Sequence, residues 1–262
     1  PRSFIGFAII AFICSMLQAA FYQDGQEILS TVTGQFANVF SIEGHVLNGN
    51  LICYVLLQTL VVQMPLLVAF VTGDSMSGET SSGTIRFLLT RPSSRTKIVL
   101  AKWISGLLYT FLLLCVLGIF ALFISKLIFG TGDLMAMNSE GMAVIRGDDI
   151  NWRWAIAFLI AFLSLSVVAT FSLFLSCLMD NSITPIVTVM ATIIIFTIIG
   201  MFDMPSFDPI KPFLFTTHMI SWRSLFEDPL PFTSIWLSVG ILFLHIVLFL
   251  FLAIYFFNRK DI

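Results

Sequence analysis

The sequence predicts an all-α membrane protein of six transmembrane helices. It adds a short amphipathic helix in one polar loop and re-entrant or interfacial helices ahead of the last span. Two observations predict this class. Of 262 residues, 58% are hydrophobic and only 11% charged, whereas a soluble domain carries about a quarter charged residues; the mean hydropathy is +1.00. Apolar runs of about 20 residues, enough to cross a hydrocarbon core of about 30 Å, recur along the whole chain. No stretch between them is long enough for a soluble domain, so 1–262 reads as one transmembrane domain with a core of helix packed on helix.

In chain order the spans are Phe4–Phe21, Leu51–Val71, Trp103–Phe123, Trp154–Leu178, Ile183–Phe202 and Thr233–Phe257. The chain opens on Pro1 and turns apolar at Phe4, so native residues are expected ahead of it. A run as long as Phe4–Phe21 reads as a span rather than a cleaved signal peptide. Ala11, Ser15 and Ala19 recur every four residues, a small-residue face suited to close helix packing. The third span reads as a longer helix from near Ser94, because Ser93 or Ser94 can cap it and Lys97 and Lys102 can snorkel. Trp152 and Trp154 open the fourth span as an aromatic belt, and Trp103 marks the other face. Asp180, Asn181 and Ser182 make a tight turn before the fifth helix, where Pro185 sits early enough to be tolerated.

Three connections carry content. The polar stretch 72–102 contains Arg86, Arg91, Arg95, Lys97 and Lys102, with Ile85, Leu88 and Leu89 at helical spacing. That pattern is a short amphipathic helix, which Pro92 stops by lacking an amide donor and restricting Arg91. Gly78 and Gly83 read as hinges around it, because the lysine of a phosphate-binding loop does not follow them. Gln23–Asn50 and Gly130–Asn151 read as compact polar loops. The segment 203–231 is punctuated by prolines yet apolar, which suits one or two short helices folded back at the membrane surface. Within it Phe213, Phe215 and Trp222 form either an outer gate or plain packing.

Charge orients the chain. With 72–102 and both termini in the cytoplasm, that side holds eight basic and four acidic residues, and the other side five basic and eleven acidic. The asymmetry obeys the positive-inside rule. Cys14, Cys53, Cys115 and Cys177 all fall within spans and read as small hydrophobes, with neither disulfide nor metal expected. His245 stands alone in the last span, where a hydrogen bond inside the bundle is the simpler reading than a proton relay. The spans are otherwise almost free of ionisable groups, which argues against an ion-coupled transporter. No nucleophile elbow, zinc-protease pair or phosphate loop occurs. A membrane-embedded enzyme acting on lipid or peptide would need converging polar groups, and a stand-alone channel a polar pore stripe. The chain itself is expected to be no enzyme.

Glu79, Gly83-Thr84, Leu88-Leu89, Pro92, Ser94-Arg95 and Lys102 spell E-x3-G-T-x3-L-L-x2-P-x-S-R-x6-K. This resembles the loop signature of type-2 (ABC-2) permeases of ATP-binding-cassette exporters, and the tail Phe257-Asn258-Arg259-Lys260-Asp261-Ile262 is similar to the ending of many members. The resemblance implies an exporter permease that pairs with a second permease copy or a related one. ATP-binding-cassette ATPase subunits would sit on separate chains and carry the ATP and Mg, with no cofactor on this chain. Membrane lipids would surround the assembly, and no nucleic acid is involved. Gly83–Thr90 resembles the coupling helix that seats in the ATPase, making Glu79, Gly83, Thr84, Ile85, Arg86, Leu88, Leu89, Arg91, Pro92 and Arg95 the docking residues. Ile85, Leu88 and Leu89 would supply contact area and Arg86 and Arg91 the register. Glu79 would pair either with the partner or with Arg86. Members usually begin with an amphipathic helix on the cytoplasmic face, an element missing ahead of Pro1. The expected cargo is an amphipathic peptide, antibiotic or lipid-like compound, since the spans offer an apolar route.

Overall fold

The computed structural model describes residues 2–34, 47–60, 63–84, 94–138, 141–202, 205 and 207–260, with backbone alone for 2–3, 26–34, 136–138 and 141–143. The helices are α1 (Arg2–Gly34), α2 (Gly49–Leu60), α3 (Gln63–Ser81) and α4 (Arg95–Gly118). A π-helical turn, Ile119–Ile124, then joins α4 to α5 (Ser125–Phe129). After them come α6 (Gly147–Leu178), α7 (Ile183–Met201), α8 (Phe215–Met219) and α9 (Phe232–Arg259). Among the described residues, five helical stretches are long and apolar enough to cross a membrane: Phe4–Gly25, Arg95–Phe129, Gly147–Leu178, Ile183–Met201 and Phe232–Arg259. A sixth appears when Gly49–Leu60 and Gln63–Ser81 are counted as one span.

The helices overrun the apolar stretches that announce them. The first continues to Gly34, so much of the loop expected at Gln23–Asn50 is helix; the sequence there has no proline to stop it, and leaving the apolar run does not end a helix. The expected span Leu51–Val71 is two helices. The second of these carries on through the polar residues 72–81, which therefore belong to α3 and not to a loop. Gly78 lies inside α3 and is no hinge. The helix ends instead at Gly83, whose φ of +71° is the left-handed geometry that closes many helices and suits glycine. The expected longer third helix does begin beside Ser94, whose hydroxyl accepts the Lys97 N–H at 3.4 Å. The loop expected at Gly130–Asn151 holds an antiparallel hairpin, β1 (Leu134–Asn138) paired with β2 (Gly141–Ile145). It is the exception to an all-α chain among the described residues.

The chain forms two compact units. The first comprises Pro1–Val61, Leu113–Phe158 and Ser224–Leu230. Here α1 and α2 pack on the π-helical turn, and α2 also packs on α5 and β1. The packed face of α1 is Ile10, Cys14 and Gln18. The expected face is displaced, since Ser15 and Ala19 are exposed. Gln18 decides this: its amide donates to the Phe120 carbonyl at 2.7 Å and to Ser125 Oγ at 2.8 Å, and a buried amide must find partners. Gly49 is in tight contact with the Ser125–Lys126 backbone, where a Cβ would lie 2.6 Å from the Lys126 nitrogen.

A buried polar node closes this unit. Asn48 Oδ1 accepts the N–H of Asn50 and of Leu51, at 3.1 and 3.0 Å, an N-cap for α2. Its amide donates to the Asp133 carbonyl at 2.6 Å, and that of Asn50 to the Gly132 carbonyl at 2.7 Å. The Trp154 indole N–H donates to Asn50 Oδ1 at 3.3 Å. The guanidinium of buried Arg153 donates to the Leu225 carbonyl at 2.8 Å and the Glu227 carbonyl at 3.1 Å. Between them Phe226 is fully buried, its ring 4.5 Å from Trp154 and 5.5 Å from Tyr54.

The second unit comprises Val62–Leu112, Leu159–Arg223 and Pro231–Ile262. In it α3 lies on α7. Gly73 gives the close approach: a Cβ there would come within 2.8 Å of Ser172 Oγ and 3.0 Å of an Ile186 side-chain carbon. Ser176 Oγ accepts the Ser77 N–H at 2.9 Å, and Ser172 Oγ donates to the Ala69 carbonyl at 3.2 Å. Small residues and hydroxyls thus hold α3 against its neighbours, as suits helices in an apolar solvent. One core gathers Met76, Ile98, Val99, Leu173, Cys177, Ala253 and Phe257. Another gathers Val167, Phe215, Leu242 and Ile246.

Candidate functional site

The motif residues that the structure describes meet at one end of the second unit. Glu79 occupies the last turn of α3 and forms an ion pair with Lys102, two turns into α4. The sequence left Glu79 to Arg86 or to an outside partner; among the described residues its partner is Lys102. Lys102 follows Arg95 by seven residues, two helical turns, so both sit on one face of α4. The pair joins the last turn of α3 to the start of α4, on either side of residues 82–94. Thr84 bends back with its hydroxyl donating to the Glu79 carbonyl at 3.2 Å. Ile85, Arg86, Leu88, Leu89, Arg91 and Pro92 lie outside the described residues.

Arg95, the first residue of α4, reaches the other motif segment. Its Nη1 donates to the carbonyls of Lys260 at 2.7 Å, Asn258 at 3.3 Å and Phe257 at 3.4 Å. Carbonyls at a helix C-terminus lack partners within the helix and carry partial negative charge. A guanidinium with five donors satisfies both needs. Lys260 repeats the device one helix further on. Its ammonium donates to the Cys177 carbonyl at 3.2 Å, at the end of α6, and pairs with Asp180 at 2.6 Å. Asn258 donates to Thr96 Oγ1 at 3.3 Å, and the Arg259 guanidinium lies over the Tyr255 ring at 4.4 Å. Every residue of the tail triplet Asn258-Arg259-Lys260 therefore has its own contact. The ends of α3, α4, α6 and α9 are tied together by side chains that cap one another's helices.

The second expected cluster is divided. Phe215 is buried in a ring of aromatics: Phe196 at 5.7 Å, His245 at 5.9 Å, Phe171 at 6.0 Å and Phe249 at 6.4 Å between centroids. Trp222 is buried as well, whereas Phe213 is 76% exposed. Where one or two short helices were expected there are three short helical turns, at Lys211–Phe213, Phe215–Met219 and Ser221–Phe226. What holds them was not anticipated. His218 is buried, its Nε2 at 2.9 Å from the Pro212 carbonyl and its Nδ1 at 2.9 Å from Ser238 Oγ on α9. A carbonyl only accepts, so Nε2 carries the proton, and in the neutral ring Nδ1 accepts from the Ser238 hydroxyl. His245 bonds the Ile241 carbonyl of its own helix at 2.8 Å. The four cysteines are free; Cys14, Cys53 and Cys177 are buried, but Cys115 is exposed on α4.

Long apolar helices with capped, charged ends define a multi-pass helical membrane protein. The chain belongs to the family described as "Protein of unknown function (DUF2705)", whose pattern matches residues 8–262. It is also 27% identical over 206 residues to an uncharacterised protein of Bacillus subtilis (strain 168), YhcI. That match covers 75% of this chain and 64% of the relative, so the chain spans just under two thirds of the relative's length.

Proposed function

We propose that this chain is the membrane-spanning permease subunit of an ATP-binding-cassette exporter of the ABC-2 type, docking separate ATPase subunits through residues 83–95. One observation supports the reading above the rest. The loop residues Glu79, Arg95 and Lys102 and the tail residues Asn258–Lys260, singled out separately in the sequence, converge at one end of the second unit. There they brace both roots of the short stretch that would seat in the ATPase. A docking element has to transmit force in both directions, and roots tied to four helix ends suit that task.

In this reading the translocation path is apolar and the cargo an amphipathic peptide, antibiotic or lipid-like compound. Both termini and the docking stretch face the cytoplasm, 203–231 faces outward, and two permease copies or relatives complete the path. The test is co-expression with an ATP-binding-cassette ATPase encoded beside it, followed by co-purification and a cargo-stimulated ATPase assay. Recovery of the ATPase and stimulation by one cargo class are expected. A chain that purifies alone and by itself hydrolyses lipid or peptide, or conducts ions, sinks the proposal.

Sidedness has its own measurement. Cysteine at Ser93 is expected to react with a membrane-impermeant thiol reagent only in opened cells, and cysteine at Ser139 in intact cells. Labelling at Ser93 in intact cells reverses the topology and removes the docking assignment.

A further inference from the structure

The C-terminal end of α9 carries cations that the described residues leave without a carboxylate. Arg259 is exposed, its guanidinium held over the Tyr255 ring at 4.4 Å. Lys97 is exposed in the first turn of α4. That turn lies against the end of α9 through the Asn258–Thr96 bond and the Arg95 contacts. Among the described residues of this end, the carboxylates of Glu79 and Asp180 are each engaged by a lysine. Leading up to Arg259, Leu244, Leu248, Phe251 and Tyr255 recur at three- and four-residue spacing and are all exposed. Phe251 and Tyr255 stack at 6.2 Å with 23° between planes. From Leu244 to Tyr255 the stripe runs about 16 Å at 1.5 Å per residue, close to one leaflet of a hydrocarbon core of about 30 Å.

We propose that this end of α9 is a binding site for an anionic phospholipid. The headgroup phosphate is taken by Arg259, whose planar fork matches two phosphate oxygens, with Lys97 as the second cation. One acyl chain lies along the Leu244–Tyr255 stripe. The Tyr255 ring holds the guanidinium in place before the lipid arrives, which lowers the entropy lost on binding. Any lipid covers an apolar stripe, but two cations that no carboxylate engages among the described residues select at its end for negative charge. The inference needs neither nucleotide nor transport, so it stands or falls apart from the permease reading.

The test uses the full chain in mild detergent, with phosphatidylglycerol and phosphatidylcholine of matched acyl chains and bound lipid counted by native mass spectrometry. Phosphatidylglycerol is expected to be retained over phosphatidylcholine. Arg259→Gln is expected to lower its retention about fivefold, the scale of one basic residue at an anionic surface. Tyr255→Ala lowers it less, and Arg146→Gln, an exposed cation in the first unit, leaves it unchanged. Equal retention of the two lipids, or an Arg259→Gln protein indistinguishable from the parent, overturns the site. An equal loss with Arg146→Gln overturns it too, because general charge then accounts for the effect. All three side chains are exposed, so the folded fraction by gel filtration is expected to match the parent in every case.

Discussion

Replacing Phe215 with serine is expected to destabilise the protein by about 3–5 kcal/mol, the range for removing a buried phenylalanine. Its ring is 2% exposed and touches aromatics from α6, α7 and α9. The serine hydroxyl adds the cost of a polar group without an assured partner. Loss of yield and a lower unfolding temperature in detergent are the readouts. Phe213→Ser at a neighbouring position is expected to behave oppositely, with parental yield, because its ring is 76% exposed. The contrast separates two roles that the sequence had merged. If 203–231 gates an exit path, Phe213→Ser lowers export at full yield of the complex. Normal export at full yield discards the gate, and a Phe215→Ser protein as stable as the parent contradicts the packing account.

Changing Leu88 and Leu89 together to aspartate is expected to abolish capture of the ATPase while the chain still inserts in the membrane. Two carboxylates pressed into an apolar cleft cost several kcal/mol unless paired, and a few kcal/mol is a hundredfold or more in affinity. Tagged protein is purified from membranes and probed for the ATPase, with insertion checked by the Ser93 and Ser139 labelling pattern. Undiminished capture by the double variant removes the docking role. A partner reading of Arg95 is tested beside it. Arg95→Gln loses the charge that caps the α9 carbonyls, so it is expected to loosen the tail, measured as faster amide exchange over 257–260, before it weakens capture.

Much of the candidate site was legible because its residues are rare. In a chain with 11% charged residues, a cluster of five basic side chains beside a glycine and a proline stands out, and the tail triplet stands out for the same reason. Their convergence was not legible. Arg95 and Lys260 are 165 residues apart in sequence, and nothing in local spacing says that one caps the helix of the other. His218 and Arg153 were invisible for a related reason. Each looks like an ordinary loop or interfacial residue until burial forces it to find carbonyl partners.

What the sequence by itself determined is the solvent. Apolar run length decides that helices cross a bilayer, and the structure places α7 and α9 within two residues of the predicted ends, at 183–201 and 232–259. Hydropathy measures where the surroundings are apolar, however, and not where backbone hydrogen bonding stops. Helices α1 and α3 therefore run past their apolar segments into polar sequence, and glycine geometry at residue 83 ends the latter. The tertiary structure alone decided which face of each helix turns inward. In lipid both faces of a span can be apolar, so periodicity carries little information. The choice then falls to single polar groups such as Gln18 and to close approaches such as Gly73, because an unmet amide or a small gap costs more than an exchanged leucine.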